Sequence, residues 1–181
     1  MNEQPELSFT IEELRPDDVE VITALRYESY ADAYVNEELG VTREWLNERN
    51  SRYYSPGYIQ SWRDQYEAGK ANGTIMAWVA RAKNGKIIGF ATPFIQPEGI
   101  RRVGSLYVAK AWYGKGVGNA LMSKVVEWHG PVETIELHVV SYNERAKAFY
   151  RKWGFEEIPG SETLFADKIP EVMMIRKGDN L

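Results

Sequence analysis

A chain of 181 residues, 44% apolar and 27% charged, has the make-up of one soluble domain (1–181) with a full core. A formal net charge of −4 and a pI near 5.4 exclude the basic footprint of a general nucleic-acid binder, although a local nest of amides can still hold an anion. With no cysteine and two histidines, His129 and His138, disulfides, thiolate ligation and a cysteine nucleophile are excluded, and no metal is expected.

No stretch nears the roughly 18 apolar residues that span a bilayer. The polar, acidic start Met1–Glu6 is wrong for a secretory signal, so the expected setting is the cytoplasm, with neither membrane nor nucleic acid as partner.

In chain order, Phe9 to Leu14 alternates as an opening strand. Pro16 starts a helix with Asp17 and Asp18 at its positive end, and Val21, Leu25, Tyr27, Tyr30 and Tyr34 carry helical spacing to Tyr34. Thr42 and Ser55-Pro56 mark two more helix starts, the second leading into the stripe Ile59, Trp62, Tyr66. Strands over Thr74 to Ala82 and Lys86 to Ile95 flank the hairpin signal Asn84-Gly85. Gln96-Pro97-Glu98-Gly99 breaks the run before a strand from Ile100 to Val108. Three glycines follow. Then Val117, Leu121, Val125 and Trp128 mark a helix that closes at His129-Gly130-Pro131. Thr134 to Val140 reads as a strand, and Ala146, Phe149, Tyr150 and Trp153 form the apolar face of a short helix ended by Gly154. Two strands finish the chain, one from Phe155 onward and one from Glu171 to Lys177. The pattern implies a mixed α/β (α+β) fold.

The segment Tyr113-Gly114-Lys115-Gly116-Val117-Gly118 lies between a strand and a helix. Glycines let a phosphate approach the backbone, and the first-turn amides of the helix have no intrahelical partner. Lys115 adds a positive charge at the rim. The competing interpretation is a tight turn that needs glycine for its dihedrals alone. A dinucleotide fingerprint fails, because the sixth residue is Asn119 counted from Gly114 and Leu121 counted from Gly116; a P-loop fails for want of its terminal lysine and hydroxyl.

Leu106-Tyr107-Val108 followed by residues 113–121 resembles the coenzyme A motif of the GNAT superfamily of N-acetyltransferases. A second block, Leu137-His138-Val139, Asn143, Ala146, Phe149-Tyr150 and Gly154-Phe155, follows at that family's distance. The likeness is detailed over roughly residues 100 to 158. Tyr113 departs from it, standing where the family has Gln or Arg. The resemblance implies a central, mixed, mostly antiparallel sheet of about six to seven strands flanked by helices, with acetyl-CoA as cosubstrate. It further implies cofactor contacts from Leu106, Tyr107, Val108, Tyr113, Gly114, Lys115, Gly116, Val117, Gly118, Asn119, Asn143, Ala146, Phe149 and Tyr150. Tyr150 would serve the leaving sulfur as general acid, and the amide of Val108 would serve the carbonyl oxygen. Read from the residues alone, Tyr150 is a core tyrosine on its helix's apolar face and Asn143 a helix cap.

The base is not evident. The stretch where relatives carry a carboxylate reads Arg101-Arg102-Val103-Gly104-Ser105, which leaves Glu98, Glu136 and His138. Aromatics crowd the stretch from Tyr27 to Tyr66, and Tyr27, Tyr30 and Tyr34 are the candidate acceptor contacts, because aromatic faces attract cations. Core packing explains the same stripe. Tyr30 to Tyr34 with its helical insert is similar to bacterial polyamine N-acetyltransferases. The expected partner is a small-molecule amine, with a homodimer compatible with the resemblance. A protein or peptide acetyltransferase and a non-catalytic acyl-CoA sensor are the alternatives.

Overall fold

Strand β1 (Phe9–Glu13) pairs antiparallel with β2 (Trp78–Ala82), which turns through Asn84-Gly85 into β3 (Ile87–Ile95). The structure, a computed structural model, describes residues 8–131 and 133–178, so the segment from Met1 to Glu6 lies outside the described residues. Strand β3 is buried along most of its length because both its faces are covered. Ile88 and Ala91 enter one core, whereas Ile87 and Phe90 enter the other.

Between β1 and β2 the chain forms α1 (Val19–Tyr34), α2 (Arg43–Asn50) and α3 (Pro56–Ala71). Thr42 and Ser55 cap the latter two by accepting from the amides of Trp45 and Tyr58, as their position before the apolar stripes predicts. The turn over Pro16–Asp18 is 3₁₀ rather than α. Asp18 does more there than face a dipole: it accepts from the Arg15 amide at 3.1 Å and pairs with Arg81 at 2.9 Å. The apolar face of α1 is Val19, Ile22 and Leu25, while Val21 is exposed. Residues 74–77 join the sheet without forming a continuous strand: Ile75 bridges Phe94 and the Met76 amide donates to the Pro93 carbonyl, while the amides of Thr74 and Ile75 donate to the Gly69 carbonyl at the end of α3.

Strand β4 (Arg101–Val108) leads through the glycine loop into α4 (Val117–His129), then β5 (Ile135–Val140), α5 (Glu144–Lys152), β6 (Phe155–Glu157), β7 (Thr163–Phe165) and β8 (Ile169–Arg176). The sheet order is β1-β2-β3-β4-β5-β8-β6, with β7 on β8. Among the described residues it holds eight strands where six to seven are expected, since three residues are too few for β7 to show an alternating pattern. All pairings are antiparallel except β4 with β5. Helices α4 and α5 cover the face that buries Val103, Ile135, Leu137 and Met174; α1 and α3 cover the face that buries Val79 and Phe90.

Candidate active site

The parallel pairing of β4 with β5 lasts for two residue pairs, Arg101↔Ile135 and Arg102↔Glu136. Past that point the strands part, and a cleft of about 820 Å³ opens between residues 103–108 and 138–140. The Ala109 amide bonds across to the Ile88 carbonyl of β3. Because main-chain groups alternate sides along a strand, the amides of Leu106 and Val108 face the other edge, into the gap. A split sheet therefore presents main-chain donors that a closed one would consume.

At one end of the cleft lies the start of α4. Gly116 is its N-cap, with φ +84°, and supplies no side-chain bond. The first intrahelical amide is that of Ala120, bonded to the Gly116 carbonyl at 3.0 Å, so the helix leaves the amides of Val117, Gly118 and Asn119 without helical acceptors. A Cβ on Gly116 would meet nothing within 4 Å, so the loop needs glycine there for its left-handed backbone and keeps open space above it. Such a terminus fits a diphosphate.

Tyr113, Gly114, Gly116, Gly118 and Asn119 line the cleft. Lys115 and Val117 do not. Lys115 Nζ turns back to donate to the Ala111 carbonyl at 2.7 Å, over the Trp112 ring, and the Val117 side chain is fully buried in the core, leaving its amide as the group it can offer. Facing Tyr113 is Arg145, from the first turn of α5. Its guanidinium lies 3.8 Å from the ring centre and donates to the tyrosine hydroxyl at 3.0 Å. A cationic donor from another helix thus stands beside position 113, where the family has Gln or Arg.

From the second block, Asn143, Ala146, Phe149 and Tyr150 all line the cleft. Asn143 caps α5 by accepting from Ala146 at 3.1 Å, and Asn119 accepts from the Trp153 indole at 3.1 Å. Burial pushes the Tyr150 phenol up to about 12. It is therefore protonated at neutral pH and can donate.

The opposite side is shaped by a bulge. Pro93 pairs with Val103 and Ala91 with Leu106, so Gly104 and Ser105 together oppose Thr92. Gly104 is required by crowding: a Cβ would sit 2.5 Å from the Thr92 carbonyl oxygen and 2.8 Å from the Phe94 ring. The extra residue lets Val103 and Leu106 share the α4 face while Ser105 and Tyr107 face α1. Along α1, Arg26, Ser29, Tyr30, Ala33 and Tyr34 recur at i, i+3, i+4, i+7 and i+8 and form one wall. Tyr30 packs on Tyr34 and Tyr107, with ring centres 4.3 and 5.6 Å away. Tyr27 falls outside this stripe and instead meets Tyr54 edge-on, so the structure does not bring it to the cleft.

Glu171 is the one acidic side chain among the described residues lining the cleft, and burial raises its carboxyl. Of the three candidate bases read from the sequence, only His138 is on the wall. Burial and then Arg102 lower its imidazole, and Arg102 Nη1 lies 3.4 Å from its Nε2. Glu136 pairs with Arg102 at 3.3 Å, and Glu98 sits in the exposed turn before β4.

The sequence profile described as the Acetyltransferase (GNAT) family matches residues 39–155, more than half of the chain. The chain belongs to this family. Among solved structures, a PaiA N-acetyltransferase from Thermoplasma acidophilum in complex with coenzyme A shares 21% identity over 94% of this chain and 99% of its own, with a TM-score of 0.72. A ribosomal-protein-alanine N-acetyltransferase from Brucella melitensis shares 21% over 93% and 99%, at 0.65. A spermidine N-acetyltransferase chimera of Vibrio cholerae shares 16% over 93% and 95%, at 0.63. No curated protein matches by sequence. At these identities the likeness is one of fold, and the acceptors in those names differ from one another.

By that family's description the chain is an acetyltransferase. In this acetyltransferase, sequence reasoning missed Arg26, Arg145, Ser105 and Glu171. Arg26 follows from extending the Tyr30–Tyr34 stripe back one turn, a spacing that the aromatic Tyr27 hid. Arg145 sits two residues after the capping Asn143, a place fixed by helix geometry. Glu171 needed the β5–β8 register, which pairs it with Val140, and no local pattern encodes that. Among the described residues, no helix is long and apolar enough to cross a membrane.

Proposed function

We propose that this acetyltransferase moves the acetyl group of acetyl-CoA to a primary amine on a small molecule, by direct attack on the thioester in a ternary complex. The observation that carries this reading is the split between β4 and β5. It joins the donor-rich start of α4 at one end to a walled aromatic cavity at the other. The loop amides with Arg145 hold the diphosphate, and the gap-facing amides of Leu106 and Val108 meet the acyl carbonyl oxygen as it gains charge.

The attacking nitrogen must be neutral, and an alkylammonium near pKa 10.4 is not. Glu171, raised by burial, takes a proton from it directly or through water. As the C–S bond breaks, the Tyr150 hydroxyl donates to the leaving sulfur. An ordinary phenol lies about 1.5 pKa units above a thiol, so full transfer costs about 2 kcal/mol. Burial of Tyr150 widens that gap. Tyr150 is accordingly a hydrogen-bond donor to the departing sulfur, and solvent completes its protonation.

Enclosure by Tyr30, Tyr34 and Tyr107 favours a small molecule over a protein segment, which needs an open groove. A donor at the sulfur and a carboxylate on the wall favour catalysis over sensing. Aromatic faces suit any ammonium, which admits a polyamine; the excess of cationic over acidic side chains on the wall weighs the other way.

The test is calorimetric titration with acetyl-CoA, then an amine panel read by released thiol. Tyr150→Phe is expected to lower kcat roughly 10- to 100-fold with little change in the acetyl-CoA KM. An unchanged maximal rate across pH removes the role given to Tyr150.

A further inference from the structure

The cleft does not end at the aromatic wall. Beyond the β4 bulge lies a second cavity of about 350 Å³, which shares Arg26, Phe94, Gly104 and Ser105 with the main one. Arg26 therefore stands at the junction of the two. Its Nε is buried without a hydrogen-bond partner, and no ion pair reaches it among the described residues. The Phe90 ring lies 5.5 Å away, an attraction that leaves the charge uncancelled. The nearby phenols Tyr30 and Tyr107 are both pushed above their ordinary range and so remain neutral.

The rest of the side chain is only partly buried, yet a guanidinium whose Nε is buried and unpartnered, with no counter-charge beside it, is costly, and the usual remedy is a carboxylate in bidentate contact. Among the described residues, no acidic one lines the second cavity. Its other polar groups are the Tyr66 hydroxyl, itself buried without a partner, the Trp62 indole N–H, and the side chains of Gln65, Thr92 and Ser105. All five can donate, which suits an anion. The single carboxylate of the main cleft, Glu171, stands with Tyr34 at the other end of the α1 stripe. Arg26 and Tyr34 are eight residues apart, roughly 12 Å along the helix, which the reach of the arginine side chain shortens.

From this we infer that the acceptor is an amine that also carries a carboxylate, an amino-acid-like zwitterion, whose anionic group is held by Arg26 while its nitrogen faces the Glu171 end. The inference rests on the acetyl-transfer reading of the cleft and narrows it to a substrate class. A polyamine would bring a second cation toward Arg26 with nothing in the far cavity to receive it.

The experiment uses the full chain and two independent readouts. In the first, α- and ω-amino acids of increasing length are compared with their own amides, and with diamines, by released thiol. The acids are expected to exceed their amides at least tenfold in kcat/KM. In Arg26→Gln that ratio is expected to fall at least tenfold, mostly through KM, and Arg26→Lys to keep part of it. In the second readout, N-acetylglycine and N-acetylglycinamide are titrated calorimetrically, without turnover. Tighter binding of the acid by wild type, lost in Arg26→Gln, supports the inference. Equal binding of the two, a ratio untouched in Arg26→Gln, or preferential turnover of diamines overturns it. Acetyl-CoA titration of each variant reports folding and tests the acetyl-transfer reading separately. A protein that binds the acid through Arg26 but not acetyl-CoA would sink that reading and leave the anion site standing.

Discussion

Gly116→Ala separates the two reasons a glycine can stand at the start of α4. With φ at +84° and no atom within 4 Å of the added Cβ, the methyl meets no protein neighbour. The strain is in the backbone, about 1–2 kcal/mol for an L-residue in the left-handed region. In a chain of this size each kcal/mol lowers the melting temperature by about 2–4 °C, so the apo protein should melt roughly 2–8 °C lower. The open space, however, is on the cleft wall. A methyl there pushes a diphosphate off the amides, and losing one charge-assisted hydrogen bond of about 1.5–3 kcal/mol weakens binding roughly 10- to 100-fold. At acetyl-CoA concentrations 100 times the wild-type Kd, ligand stabilisation is about 2.7 kcal/mol; a 100-fold loss of affinity reduces it to about 0.4 kcal/mol. The acetyl-CoA-induced rise in Tm should therefore shrink from about 5–11 °C to about 1 °C.

Gly154→Ala is the control. Its φ is +80°, its added Cβ approaches nothing nearer than Arg176 Cγ at 3.9 Å, and it is not on the cleft wall. It should lose similar apo stability and keep the full acetyl-CoA shift. Thermal melts of both variants with and without acetyl-CoA decide the matter. If Gly116→Ala retains the wild-type shift, or if the two variants lose it equally, the amides of this loop do not hold the cofactor.

Arg145→Ala should raise the acetyl-CoA KM about fivefold, the effect of one exposed charge contact of about 1 kcal/mol, and salt should shrink the difference; a KM unchanged at low salt removes Arg145 from the phosphate site. Glu171→Gln should lower kcat about 100-fold or more, and the wild-type rate should fall as pH drops through the raised Glu171 carboxyl, because only the carboxylate accepts a proton; a retained acidic limb in the variant shows that another group is the base. Burial lowers His129 to about 4, with its Nε2 bonded to the Arg102 carbonyl at 3.0 Å. The unfolded chain thus takes up a proton that the native state refuses. Stability is unaffected above pH 6.5 and falls as pH drops toward 4, by about 2 kcal/mol at pH 5 and about 3 kcal/mol in full. Urea midpoints of wild type and His129→Gln at pH 7 and pH 5 check this, since the variant should lack that part of the acid slope. Gly104→Ala should cost about 1–3 kcal/mol in the same assay, since neither the Thr92 carbonyl nor the Phe94 ring can retreat from a Cβ without shifting the bulge.

What could be read from the sequence was what is encoded within one element. Asn84-Gly85 marked its hairpin, Thr42 and Ser55 their helices, and the spacing of Gly114, Gly116 and Gly118 one end of the cleft. What could not be read was what depends on two elements meeting. Lys115 looked like a phosphate ligand because it lies inside the glycine run, yet its nearest acceptor is the carbonyl of Ala111 one turn back. Tyr27 looked like a wall residue because it is aromatic. A helix turns 100° per residue, however, and that assigns the wall to Arg26. The β4 bulge is invisible in Arg101-Arg102-Val103-Gly104-Ser105, because a bulge is a relation between two strands; the cue was Gly104, an unpacked position in an otherwise filled strand.

The bulge and the split are one device. If β4 ran regularly, Val103 and Leu106, three residues apart, would point to opposite faces, and the strand could not bury both against α4 while turning Ser105 and Tyr107 toward α1. If β5 stayed paired beyond Glu136, the amides of Leu106 and Val108 would be spent on the sheet. Two irregularities at neighbouring positions of one strand thus leave its edge amides open to the cleft and turn its alternate side chains toward α1, where the proposed reaction seats thioester and acceptor. The cost falls where the structure can bear it: both faces of the adjoining β3 are packed, and the His129 imidazole holds the Arg102 carbonyl just before the strands part. It follows that β4 tolerates change on its flanks far better than at residues 103–108, where one shift of register would misplace both of the proposed substrate sites together.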